Sequence, residues 1–240
     1  MEQFIFAPGN RKRYADGRDV IRIEGEEHFH LSRVLRAKVG DKVLATDGRG
    51  VTCLCVIQQI GEEASTCTVA EEFHEMNSSR RRFSIGMTPL KPVSKLEFAI
   101  EKCTELGARK FLLFNTERSE RVNLRAQRMA GIMRSAVKQS LQSIIPELSI
   151  AQDLGEVPAQ SGDYEVKFVL HEKSDIMIGE YLSKINANSS AIALVGPEGG
   201  FSEKEIGILT QEGFKSVSVG KSRLRSETAA IKAASLLALY

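Results

Sequence analysis

From residue 83 onward, short apolar runs alternate with amphipathic, capped segments, and that alternation restricts the fold more than any other feature of the chain. Alternating strand and helix patterns imply a parallel sheet covered on both faces, because each crossover helix must pack back onto the sheet. Strands are expected at 82–90, 110–117, 165–172, 191–197 and 215–220. Between them, 94–107 reads as a helix with a Ser94/Glu97 capping box, with Leu96, Ala99, Ile100 and Cys103 on one face and a stop at Gly107. A longer helix is expected over 124–143, with Met129, Ile132, Met133, Ala136, Val137, Ser140 and Leu141 as its stripe. Helices at 176–186 and 201–213 follow, the latter capped by Ser202 and Glu205. The last helix starts at Ser226, and after Thr228 only Lys232 and Ser235 interrupt its apolar residues before the terminal Tyr240. A helix apolar nearly all round is buried on every side, in a core or a subunit interface, and a homodimer is expected on that ground.

The first 70 or so residues follow a different pattern. Runs at 20–25, 42–48, 50–60 and 65–73 read as strands, with a short helix in between that carries Leu31, Val34 and Leu35 at helical spacing. Short strands at this density suggest a small barrel. The polar stretch HEMNSSRRRF (74–83) marks a boundary, giving an expected barrel domain over 1–75 and an α/β domain over 80–240. The net charge of +2 is mild, so a nucleic-acid partner would have to be met by a local patch. The first residues lack a secretory pattern and no apolar run is long enough to span a bilayer, so a cytoplasmic protein without membrane contact is expected. Cys53, Cys55, Cys67 and Cys103 have no metal-ligand spacing and read as reduced, small hydrophobes; no metal is expected.

Parallel sheets bind ligands at the carboxyl ends of their strands. Three such ends stand out: VLHE (169–172), LVGPEGG (194–200) and VSVGKSRLRSETA (217–229). No Walker pattern and no GxGxxG occurs, which leaves a phosphate-rich cofactor with little support. Glycine-rich loops with apolar walls suit a ligand read by backbone N–H and C=O groups, and S-adenosylmethionine is such a ligand. A carboxylate against its sulfonium would favour the ground state over the transition state, so a neutral cradle is chemically sensible. On spacing alone, both loops are equally readable as tight turns.

LVGPEGGFSEKEI followed by VSVGKSRLRSETAAIKA resembles the paired signature of the RsmE family, bacterial 16S rRNA (uracil-N3) methyltransferases of the SPOUT class. HLSRVLRAKVGD (30–41), EKCTELGARKFLLFNTERSER (101–121) and SAVKQSLQSIIPEL (135–148) resemble further blocks of that family, so the likeness extends over nearly the whole chain. It departs at Gln142, near a position where the family usually carries arginine. The resemblance implies an α/β fold of SPOUT type, a knotted parallel-sheet methyltransferase domain preceded by a small PUA-like RNA-binding β-barrel. It implies S-adenosylmethionine as cofactor, held by Leu170, His171, Gly196, Gly199, Gly200, Val219, Gly220, Leu224, Arg225 and Ser226. The implied substrate is 16S rRNA in the small ribosomal subunit.

Methylating N3 of uracil requires loss of its proton, hence a base or a cation that stabilises charge on O2 and O4. Arg225 is the candidate cation and Glu198 the candidate base, although Glu198 also reads as a solvated turn residue. Arg33, Arg36, Arg80, Arg81, Arg82, Arg118, Arg121 and Arg125 are the candidate RNA contacts. Two alternatives remain: a SPOUT methyltransferase acting on tRNA, and a non-catalytic RNA-binding assembly factor.

Overall fold

The computed structural model describes residues 1–120 and 124–240. It divides into two compact units, Met1–Ser78 with Val137–Ile145, and Ser79–Ala136 with Pro146–Tyr240.

In the first unit, β1 (Gln3–Ile5), β2 (Arg11–Arg13), β3 (Asp19–Glu24), α1 (Gly25–Phe29), β4 (Lys42–Thr46), β5 (Val51–Ile60) and β6 (Ala64–His74) follow in chain order. The strands form one sheet in the order β1-β4-β5-β6-β3-β2, in which only β1 and β4 pair in parallel. Alternate residues of β5 (Cys53, Cys55 and Ile57) point into a core with Phe4, Ile21, Ile23, Leu31 and Cys67. The sequence had no visible signal for β1 or β2, each only three residues long. The expected helical stripe is also not realised. After α1 the chain continues as a π-helical turn, His30–Val34, whose wider winding buries Leu31 but leaves Val34 56% and Leu35 39% exposed. The thiols of Cys53 and Cys67 are pushed up to about 11 by burial, so both stay protonated and pack as hydrophobes.

The second unit contains β7 (Phe83–Met87), α2 (Val93–Glu105), β8 (Lys110–Leu113), α3 (Ala126–Ser140) as far as Ala136, β9 (Glu147–Ile150), α4 (Val157–Gln160), β10 (Val166–Leu170), α5 (Ile178–Leu182), β11 (Ala191–Val195), α6 (Glu203–Gln211), β12 (Lys215–Val217) and α7 (Ser226–Leu239). Its sheet is parallel throughout, in the order β12-β10-β11-β7-β8-β9. β7 and β11 are adjacent and buried along their whole length, which explains their continuous apolar runs. Gly86 permits that closeness: a Cβ there would stand 2.4 Å from Leu194 Cδ2. Full burial of side chains such as Phe111, Phe168 and Phe214 contributes roughly 1.5–3 kcal/mol each.

The α2 stripe is buried as its spacing predicts, but its expected cap is not formed. Pro92 is the N-cap, without a side-chain bond, and Glu97 instead forms a bidentate pair with Arg128 on α3. α3 is shorter than its pattern, since Leu141 takes a left-handed φ of 56° and ends it. α6 carries the expected capping box, with both halves present. α7 packs on α2, α5, β7 and β11, which accounts for much of its apolar surface within one chain.

Candidate functional site

Because the sheet is parallel, the carboxyl ends of β10, β11 and β12 open on one edge, with β10 between the other two. The glycine loops after β11 and β12 therefore flank the end of β10. His171 N donates to the Val217 carbonyl at 2.9 Å, tying the end of β10 to β12. The loop after β11 closes through Gly200 N to the Pro197 carbonyl at 2.9 Å, with Gly200 in the left-handed region at φ +66°. After β12, Ser218 Oγ donates to the Gly220 carbonyl at 2.9 Å.

A cavity of about 370 Å³ lies among these loops. Leu170, His171, Gly196, Gly199, Gly200, Val219, Gly220, Leu224 and Ser226 all line it. Arg225, expected both as a cofactor contact and as the catalytic cation, does not: it is exposed and sits at the N-cap of α7. The cations brought to the wall are Arg118, Lys173 and Arg223, and Arg118 is the one that bonds a glycine loop. Its Nη1 donates to the Gly199 carbonyl at 2.8 Å. Glu205 positions this contact, since one carboxylate oxygen accepts from Glu117 N at 2.9 Å and the other from Ser202 N at 2.8 Å. The ERS block thus serves the pocket, a role that sequence reading missed because the linking carboxylate is 88 positions away from the amide it holds.

Glu198 lines the cavity with a side chain 62% exposed and ion-paired to Lys95. Lys95, with Arg225 adding a smaller effect, holds its carboxyl below the usual carboxylate range, which suits an anchor better than a base. Two further pairs stand at the rim, Lys173 Nζ to Glu203 Oε1 at 3.7 Å and Arg223 Nε to Glu172 Oε2 at 3.6 Å. Among the lining side chains, Arg118 has no carboxylate partner within the described residues, unlike Lys173 and Arg223.

The expected RNA contacts divide. Arg81 has to be corrected: it is fully buried, its Nη1 donates to the Ser189 carbonyl at 2.6 Å, and it presents nothing to a phosphate. Arg80, Arg82 and Arg125 are exposed in the second unit, and Arg33 and Arg36 in the first. Arg80 Nε donates to Asn188 Oδ1 at 3.1 Å. Arg121 lies outside the described residues. Gln142 is 8% exposed, beyond the end of α3, and its carbonyl accepts from Gln3 Nε2 at 2.7 Å, so it is held as a structural residue of the first unit.

No described helix is long and apolar enough to cross a membrane, and no group of potential metal ligands occurs among the described residues.

The family described as RNA methyltransferase domain matches residues 77–238, and an RNA methyltransferase PUA domain matches residues 23–70. The chain is 27% identical to a ribosomal RNA small subunit methyltransferase E of Bacillus subtilis, over 90% of this chain and 88% of that one. It is 29% identical to the protein of the same name from Mycobacterium bovis, over 87% and 82% of the two chains. Among solved structures, a probable rRNA-methyltransferase from Porphyromonas gingivalis superposes with a TM-score of 0.79 at 29% identity, covering 98% of this chain and 95% of that one. The Neisseria gonorrhoeae ribosomal RNA small subunit methyltransferase E, crystallised with S-adenosylmethionine, shares the fold with a TM-score of 0.82 at 22% identity, covering 98% and 95%. On the match over 77–238, the chain belongs to the RNA methyltransferase family, with a PUA domain of that family at its N-terminal end.

Proposed function

We propose that the protein is an S-adenosylmethionine-dependent methyltransferase acting on N3 of a uridine in 16S rRNA of the small ribosomal subunit. The observation that carries this reading is the cavity at the ends of β10, β11 and β12, lined by four glycines. A Cβ at Gly196 would stand 3.0 Å from the Phe201 ring, and one at Gly199 would meet Arg118 Cδ at 3.4 Å. The cavity volume lies in the usual range for small-molecule sites. Backbone groups, the Ser218, Ser222 and Ser226 hydroxyls and apolar Leu170, Val219 and Leu224 suit adenine, ribose and an amino-acid tail. The wall carboxylates Glu172, Glu198 and Glu203 each have a basic partner, which leaves the cradle close to neutral. When bound, S-adenosylmethionine supplies a sulfonium-activated methyl group, so the protein need not provide a metal or a covalent intermediate.

The chain's own contribution is to hold the base and stabilise the charge that forms as the N3 proton leaves. Arg118 suits the stabilising role, because its guanidinium is anchored by one N–H and has further N–H groups to offer an oxyanion. The first turn of α7 begins at Ser226, where N–H groups have no intrahelical partner and favour negative ligand atoms. In this reading the domains divide near residues 75–80, the N-terminal barrel binds RNA, the strand-end loops form the SPOUT knot, and the protein works in the cytoplasm as a homodimer. Leu239, 78% exposed at the end of α7, and Ile176, 50% exposed before α5, supply apolar surface for that dimer.

The test is incubation with methyl-labelled S-adenosylmethionine and small subunits whose target uridine is unmodified, followed by nuclease digestion and mass spectrometry. N3-methyluridine at one 16S position is the expected product. Label in tRNA instead, or cofactor binding without label in any RNA, would refute the assignment.

A further inference from the structure

On the side of β11 away from β10 and β12, charged side chains tie three loops together at the carboxyl edge of the sheet. β7 lies between β11 and β8, so the turn into α2, the loop after β8 and the glycine loop after β11 meet around its end. Lys95, in the first turn of α2, pairs with Glu198. Arg118, in the loop after β8, donates to the Gly199 carbonyl at 2.8 Å. Lys91 Nζ closes the third side on Glu120 Oε2 at 2.6 Å. Two cations from different elements are thereby anchored on consecutive residues of the loop that also walls the cavity.

Neither cation is used up by its anchor. An ammonium carries several N–H groups and a guanidinium more, and among the described residues each spends one on the loop. Glu198 is 62% exposed against 23% for Lys95, so water screens the carboxylate more than the ammonium. Of the other charges nearby, Glu97 is held by Arg128, Glu117 stays exposed after β8, and Arg225 lies within electrostatic reach of Glu198. Lys95, Arg118 and Arg225 thus outnumber Glu117 and Glu198 around the glycine loop. His171 follows β10, across β11 from α2. Thr88, the residue after β7, has an enclosed hydroxyl with no hydrogen-bond partner among the described residues, so the end of β7 is polar.

We propose that Lys95 is a second catalytic cation: its ammonium and the Arg118 guanidinium take O2 and O4 of the target uracil, one each, and the N3 proton passes to solvent. Uracil suits such a pair because N3 lies between its two carbonyls, so the charge left when the proton departs is shared by both oxygens. Two fixed donors make N3 easier to ionise before transfer, which removes the need for a protein base. The electron pair left on N3 then bonds the methyl carbon, while the carbon–sulfur pair stays on sulfur. Glu198 in this arrangement positions Lys95 and takes no proton. Cytosine carries an amino group in place of one of those oxygens, so the same pair of cations discriminates against it. The inference rests on the reading of the protein as an N3-uridine methyltransferase and names how that site selects and ionises its base.

The test is the pH dependence of single-turnover methyl transfer to small subunits with an unmodified target uridine, at saturating methyl-labelled S-adenosylmethionine, read as N3-methyluridine by mass spectrometry. Lys95→Met should lower the rate constant about a hundredfold at pH 7 but by less than about tenfold at pH 9, because its bound uracil ionises only at higher pH. Lys95→Gln, which keeps a hydrogen bond to Glu198, should behave as Lys95→Met does. Glu198→Gln, which removes the anchor but keeps the ammonium, should stay within a few-fold of wild type at both pH values. Cofactor affinity by calorimetry should be equal in all variants, which also shows that they fold. Three results would each overturn the proposal: a Lys95 defect of the same size at both pH values, an equal defect in Glu198→Gln, or a loss of cofactor affinity that matches the loss of rate. Each is what a mere tether of the glycine loop predicts. These outcomes are read with an active wild type; no N3-methyluridine from wild type at any pH would overturn the functional reading and this inference with it.

Discussion

Arg118 and Arg81 show how far the fate of one residue type depends on what the fold places beside it. Both lie in arginine-bearing stretches that read alike in sequence, yet Arg118 reaches the Gly199 carbonyl on the pocket wall and Arg81 is fully enclosed against the Ser189 carbonyl. Replacing Arg118 by Ala should lower the methyl-transfer rate constant about a hundredfold, the scale found on removing one oxyanion donor, while Glu198→Gln changes it only a few-fold. Single-turnover kinetics with the two variants separates them; a severe defect in Glu198→Gln would restore Glu198 as the base. Arg81→Met should reduce stability by about 1.5–3 kcal/mol through the lost charge-assisted bond, with RNA affinity of the folded protein unchanged. Urea unfolding and filter binding on the same preparation check both halves.

Among the elements, those with strong local grammar formed as their patterns predict, and those held by neighbours did not announce themselves. α6 carries its own stop and start signals, and its Ser202/Glu205 box forms in full. Glu205 does more than cap, because its second oxygen fixes the Glu117 amide and with it the loop bearing Arg118. Glu205→Ala should thus cost about 1–2 kcal/mol of stability as a lost cap and, in addition, lower activity toward the Arg118→Ala level. Thermal unfolding and turnover measured together would show it; activity intact after the loss of stability would sever the link. By contrast, Ser94 and Glu97 have the same spacing but form no box, since Glu97 is taken by Arg128 across the helix pair. β9 pairs with β8 at the sheet edge with both its ends exposed, and no periodic apolar signal marks it.

For the whole molecule, acid sensitivity should come partly from the barrel unit, where Arg11 Nε bonds Asp19 Oδ1 at 3.0 Å and the same guanidinium also pairs with Glu72. Arg11 holds both carboxyls below their ordinary values of 3.8 and 4.5, each against an opposing desolvation effect. A depressed folded-state value adds stability that is fully present above the ordinary range and is lost as pH falls through the depressed values. Arg11→Ala should accordingly lower stability at neutral pH, with the difference from wild type vanishing in strong acid. Chemical unfolding across pH 7 to 2 measures it, and a constant offset over that range would argue for lost packing instead of lost charge pairing.

The sequence by itself determined the parallel α/β half, its main strands and the α6 cap, because hydrophobic period and capping residues are local properties of the chain; spacing left the glycine loops equally readable as tight turns, and the family resemblance assigned them to the cofactor. Nine of the ten residues that the family resemblance assigned to the cofactor line the cavity, while the tenth, Arg225, is exposed at the N-cap of α7 and is not among the lining residues. Only the tertiary structure decided that β10 lies between β11 and β12, that Arg118 stands at the pocket, that Arg81 is buried and that Val34 and Leu35 face outward. The physical reason is common to these cases. Strand order, burial of a charge and the winding of a turn are set by contacts between residues distant in sequence, such as Glu117 with Glu205, and no local pattern encodes which distant partner will win.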